Sequence, residues 1–131
     1  LALRVLKPNT VKPAEFCALI YRMQLREGRY FLHEHPMTAS SLEEPCIASI
    51  EGSPLVFKVR TDMCAFGMRS KDSEGEGPVL KPTSFLTNSV ELRKALDKRC
   101  EGCKRHVHLI SGRAAAAQVY PRALCRAVVN S

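Results

Sequence analysis

Between Pro13 and Thr87 the chain keeps switching between two apolar periods, and that switching restricts it to folds in which helices pack on a sheet. Phe16, Leu19, Ile20 and Met23 follow the i, i+3, i+4, i+7 spacing of a buried helical face. The helix enters at Thr10 to Pro13, carries Glu15 in its first turn and stops at Gly28. Tyr30-Phe31-Leu32-His33 then reads as a short strand closed by Pro36. Ser41 and Glu44 have capping-box spacing, with Pro45 in the first turn and Ile47 and Ile50 as the inward stripe. Leu55 to Val59 is a second strand, running on towards Asp62 to Gly67. Arg69 to Pro78 is polar and glycine-bearing, the clearest loop signal in the sequence. Leu80 to Thr87 resumes as a strand, and Pro82 implies either a sheet edge or an irregular start. Asn88 and Glu91 signal another cap, with Leu92, Ala95 and Leu96 facing inward, and Pro121 to Val128 reads as a final helix. The expectation is an α/β fold of about three strands and four helices.

A chain of 131 residues is one domain's worth, spanning 1–131, or a fragment of one. Apolar content of 45% and charge of 25% are ordinary for a globular protein and argue against general disorder. No stretch approaches the roughly 20 apolar residues of a membrane span, so a membrane is not an expected partner. Leu1 to Thr10 lacks the apolar core of a signal peptide, and the missing initial Met suggests a piece of something longer. Six cysteines would fit a disulfide framework in a secreted protein. Without a secretory signal, reduced thiols and an intracellular setting, nucleus or cytoplasm, are the better reading.

The net charge of +7 favours an anionic partner, nucleic acid first among them. The positive charge crowds the last third, where Arg93, Lys94, Arg99, Lys104, Arg105 and Arg113 are the candidate phosphate contacts. An ordinary solvated basic face fits the same pattern. Aromatic residues make up only 6% of the chain, which leaves little for base stacking.

Two further groupings carry chemistry. In His33-Glu34-His35 a carboxylate sits between two imidazoles just past a buried strand, where open α/β sheets place ligands. Glu34 could bond a substrate nitrogen while His33 or His35 tunes its charge, although a solvated strand end has the same composition. In Cys100-x2-Cys103-x2-His106-x-His108, four zinc-competent side chains fall within nine residues. Gly102 suits the tight turn, and Cys64 is a substitute ligand. A metal-free loop is the alternative.

The helix followed by an apolar strand ending in Glu34 resembles the Glu-Asn-Val motif of cytosine-5 DNA methyltransferases, here written Glu34-His35-Pro36. Asp62 to Gly67 is similar to the family's following strand-end segment, with Met68 to Lys71 as a loose counterpart of its Gln-Arg-x-Arg. Ala117 to Ala127 is similar in spacing to its closing segment. GRYFLHEHP, DMCAFGM and VLKPTSFLTNS also resemble a methyltransferase-like module of Copia-type retroelement polyproteins, over residues 14–130. The resemblance implies a partial Rossmann-like layer, the later half of a methyltransferase domain, with Glu34 at the position of the family's cytosine-binding Glu; His33 and His35 join it as site residues on the strand-end reading alone. It implies S-adenosylmethionine only if the missing amino-terminal half, or the rest of the polyprotein, supplies the glycine-rich loop. No Pro-Cys nucleophile precedes Glu34, and Pro45-Cys46 comes too late in the chain, so the piece alone should be inactive. The competing reading is a zinc-stabilised nucleic-acid-binding module.

Overall fold

The computed structural model describes residues 12–36, 44–109 and 119–131. Arg113, Ser41 and most of the Ala117 to Ala127 segment's start lie outside those stretches. Within them the order is α1 (Pro13–Arg26), β1 (Leu32–Pro36), α2 (Pro45–Glu51) and β2 (Phe57–Asp62). A 3-10 turn (Met63–Phe66) follows, then β3 (Arg69–Asp72), β4 (Gly75–Pro78) and β5 (Pro82–Thr87). Two helices close the order, α3 (Val90–Leu96) and α4 (Arg122–Val129).

The main sheet runs β1-β5-β2, and both pairings are antiparallel. This corrects the expected architecture: a Rossmann-like layer is built from parallel strands joined by crossover helices. The mixed α/β character stands, with helices on both faces. Along β5, Phe85 points to a core with Val59, Met63, Leu96, Val107 and Leu124, on the side of α3 and α4. Leu86 points to the other core, with Ala18, Ile47 and Ile50 of α1 and α2. Alternation of period two thus gives one strand two cores.

β5 is the central strand, not an edge, and Pro82 stands at its first residue, where a missing N–H costs least. The stretch expected as a loop, Arg69 to Pro78, is instead a two-stranded hairpin, β3-β4, turning through Ser73 and Glu74. The Asp72 side chain accepts the Glu74 N–H at 2.9 Å, and Gly75 takes φ 109°, so its loop chemistry lies in the turn alone.

α1 corrects the expected face. Ala18 is its fully buried residue, with Ala14, Tyr21 and Leu25 packed beside it. Phe16, Leu19 and Ile20 are exposed. Two apolar stripes share this helix, and the one with small residues fits close against α2 and the sheet. α3 starts one residue later than its cap signal. Ser89 takes the Leu92 N–H at 3.2 Å, because Asn88 is committed elsewhere. The Asn88 side chain accepts the Phe31 N–H at 3.0 Å and donates to the Arg29 carbonyl at 2.8 Å, fastening the start of β1 to the end of β5.

Candidate metal centre and the basic surface beside it

Cys64, Cys100, Cys103 and His106 bring one ligand atom each to within 4.8 Å of one another, a group that could hold a metal ion. The chain reaches this arrangement from two directions. β2 ends at Asp62, the 3-10 turn lifts Cys64 off the strand, and Gly67 at φ 85° reverses the chain. The second direction is the segment after α3, where Gly102 at φ 101° allows the Cys100-x2-Cys103 turn. His106 Nε2 lies 3.4 Å from the Cys100 sulfur. Around a tetrahedral zinc with bonds of about 2.3 Å to sulfur and 2.0 Å to nitrogen, such neighbours stand about 3.5 Å apart. The donor set contains three thiols, one imidazole and no carboxylate.

Backbone holds the two directions together. The Asp62 N–H donates to the Lys98 carbonyl at 2.8 Å, while the Met63 N–H fixes the turn to the chain ahead of β5 through the Leu80 carbonyl at 2.7 Å. Asp62, 2% exposed, accepts the Cys100 N–H at 2.9 Å on one carboxylate oxygen and Arg60 Nε at 3.1 Å on the other. The Cys103 and Gly102 amides point at the Cys100 sulfur and, with the Cys103 thiol, pull its pKa down to about 6. Burial, then the Cys100 sulfur, pushes the Cys64 thiol up to about 12. Cys103 is raised as well, chiefly through its bond to Cys100. A divalent cation at this point would favour the thiolate form of all three sulfurs. A cavity of about 720 Å³ opens beside the group, lined by Cys64, Lys98, Cys100 and Cys103 among others.

His108 is not in this group. Residues 105–109 form neither helix nor strand, Val107 is buried, and its N–H donates to the Pro78 carbonyl at 2.8 Å. His108 itself is exposed and lies outside the group of four. Cys64, the substitute at sequence level, takes its place. Sequence spacing could not select it, since 36 positions separate it from Cys100 (100 minus 64).

The strand-end trio does not converge. His33 and His35 share one face of β1, rings 5.9 Å apart and stacked, and His33 Nδ1 meets the Tyr21 hydroxyl at 2.7 Å. Glu34 points to the opposite face, towards the Tyr120 hydroxyl, whose pKa rises through burial first and Glu34 second. The imidazoles therefore flank Glu34 in sequence but stand across the sheet from its carboxylate.

The basic candidates separate in the same way. Arg93, Lys94 and Arg99 are exposed and line one groove with Lys58 and Arg60. Lys104 is exposed on the metal segment. Arg105 is spent inside the protein, bonded to Asp72 at 2.8 Å and to the Gly75 carbonyl at 2.9 Å. Among the described residues no helix is long and apolar enough to cross a membrane.

Comparison of the chain with models of known families, with curated proteins and with solved structures finds no match.

Proposed function

We propose that this chain is a zinc-stabilised nucleic-acid-binding module. The observation that carries the reading is the convergence of Cys64, Cys100, Cys103 and His106 on one point. Three thiolates and an imidazole are a zinc donor set, and four protein ligands leave no open position, which is the character of a structural site and not a catalytic one. The ion would tie the end of β2 to the segment after α3, a long stretch anchored in the core mainly by Val107. The anionic partner follows from the net charge of +7 and from the exposed Arg93, Lys94 and Arg99.

Metal analysis of the purified chain should find one zinc per chain. Cys64→Ser should remove it, and His108→Ala should leave it in place. Equal loss in the two variants, or a chain that takes up no zinc from a buffered excess, would sink the metal half. Zinc-loaded chain that ignores an oligonucleotide at low salt would sink the other half.

A second reading is a non-catalytic methyltransferase-like piece of a retroelement polyprotein. The approach of Tyr120 to Glu34 favours it, because it joins two separate segments of the sequence resemblance. Calorimetric titration with S-adenosylmethionine should give no heat for this chain alone and a saturating signal once the upstream half is supplied. No signal in either case removes this reading.

A further inference from the structure

Edge strand β2 and helix α3 meet at a cationic groove. Lys58 and Arg60 come from β2, Arg93, Lys94 and Asp97 from α3 and its end, and Arg99 from the segment leading to the metal ligands; the cavity they line measures about 460 Å³. Five cations face one carboxylate there. Lys58 Nζ is 3.2 Å from Glu51, Arg60 is held by Asp62, and the Arg93 guanidinium lies 4.7 Å over the Phe57 ring. Lys94 and Arg99 have no ion-pair partner among the described residues, so their charge is available to a ligand.

Two details narrow what the groove can take. None of the described residues lining it is aromatic, and the Arg93 guanidinium sits over the adjoining Phe57 ring, so the lining offers no face for a base to stack on. Recognition would then run through phosphate, which fixes position without reading sequence. The groove also shares its wall with the metal centre. Asp62 divides one buried carboxylate between Arg60 and the Cys100 N–H, and Arg99 is the residue immediately before Cys100.

We propose that this groove binds the phosphodiester backbone of nucleic acid, and that the ion held by Cys64, Cys100, Cys103 and His106 keeps its Arg60 and Arg99 wall in place. The proposal rests on the reading of a zinc-stabilised nucleic-acid-binding module and names its binding surface. The plainer role for Lys58 and Arg60, guarding an exposed sheet edge against pairing with another chain, would not need Lys94 or Arg99.

The test uses the full zinc-loaded chain and a fluorescent single-stranded DNA of about 20 nucleotides in about 0.1 M salt. In the doubly substituted chain, Lys94→Ser with Arg99→Ser, zinc content and thermal midpoint should stay put. Each lost phosphate contact should weaken binding about fivefold, about 25-fold together, and flatten the salt slope by about 1.4. Arg26→Ser, an exposed cation at the end of α1 on the other face of the sheet, should bind within about twofold of the parent under the same counterion argument. Equal weakening by Arg26→Ser and by the groove pair would mean diffuse charge, overturning the groove while the nucleic-acid reading survives. Failure of the parent chain to bind DNA would overturn that reading itself. Binding to phosphatidylserine vesicles but not to DNA would assign the groove to a membrane surface and overturn the proposal.

Discussion

The Asp62 carboxylate accepts the Cys100 backbone N–H at 2.9 Å, so the first cysteine of the Cys-x2-Cys turn is positioned by the strand end that also leads into Cys64. Groups that orient ligands without touching the ion commonly change metal affinity by about 10–100-fold when altered. Asp62→Asn keeps the shape but offers one oxygen to two donors, Cys100 N–H and Arg60 Nε, and turns an amide N–H₂ towards one of them. Zinc affinity, read by competition with a chromophoric chelator, should fall about tenfold on that principle while one zinc per chain still binds at saturation. Unchanged affinity would show that the ligands find their places without Asp62.

Arg105 makes a second join, between the metal segment and the β3-β4 hairpin. Its guanidinium bonds Asp72, lies 3.5 Å from Glu74 and reaches the Gly75 carbonyl, and Asp72 is the main cause of its raised pKa. The hairpin passes so close that a Cβ on Gly77 would stand 3.1 Å from Val107 and 3.3 Å from Arg105. Arg105→Ala should therefore speed hydrogen exchange at the hairpin amides and leave the DNA affinity of the chain near the parent value. A loss of affinity as large as that of the groove pair, with the hairpin still protected, would return Arg105 to the binding surface.

How far the sequence announced this arrangement depends on the range of the interaction. Ile47 with Ile50, Gly28 and the strand run of Leu80 to Thr87 were legible because each rests on near neighbours in the chain. The direction of strand pairing was not, since nothing local distinguishes β5 placed centrally and antiparallel from a crossover partner. In the metal group, Cys100, Cys103 and His106 were readable from spacing, whereas Cys64 depends on how β2 ends. Glu34 and its neighbouring histidines look like one site in a line of text, and the period of a strand sends them to opposite faces.

α1 offers a direct test of which of its stripes is the packed one. Ala18 is 1% exposed between α2 and the sheet, while Leu19 next to it is 43% exposed. Ala18→Leu should cost about 1–3 kcal/mol through overpacking. Leu19→Lys should stay within about 0.5 kcal/mol, as exposed substitutions do. Chemical denaturation of the zinc-loaded chain measures both. The reverse order would mean that α1 is rotated so that Phe16, Leu19 and Ile20 face the sheet.

His33 links stability to pH. Its pKa is lowered from 6.5, by burial first and by His35 second, with Glu34 opposing them from across the sheet. The Tyr21 hydroxyl, its pKa pushed up to about 12 by burial and then Cys17, lies 2.7 Å from His33 Nδ1. The unfolded chain thus takes up a proton on this imidazole at higher pH than the folded chain does, and stability rises with pH through this range. The contribution is complete above the unfolded value of 6.5 and is lost as the pH falls through the lowered folded value. Thermal midpoints should decline between about pH 7 and pH 5, and His33→Gln, which still offers an acceptor to Tyr21 but does not titrate, should flatten that decline. A decline just as steep in the Gln variant would show that His33 is not its source.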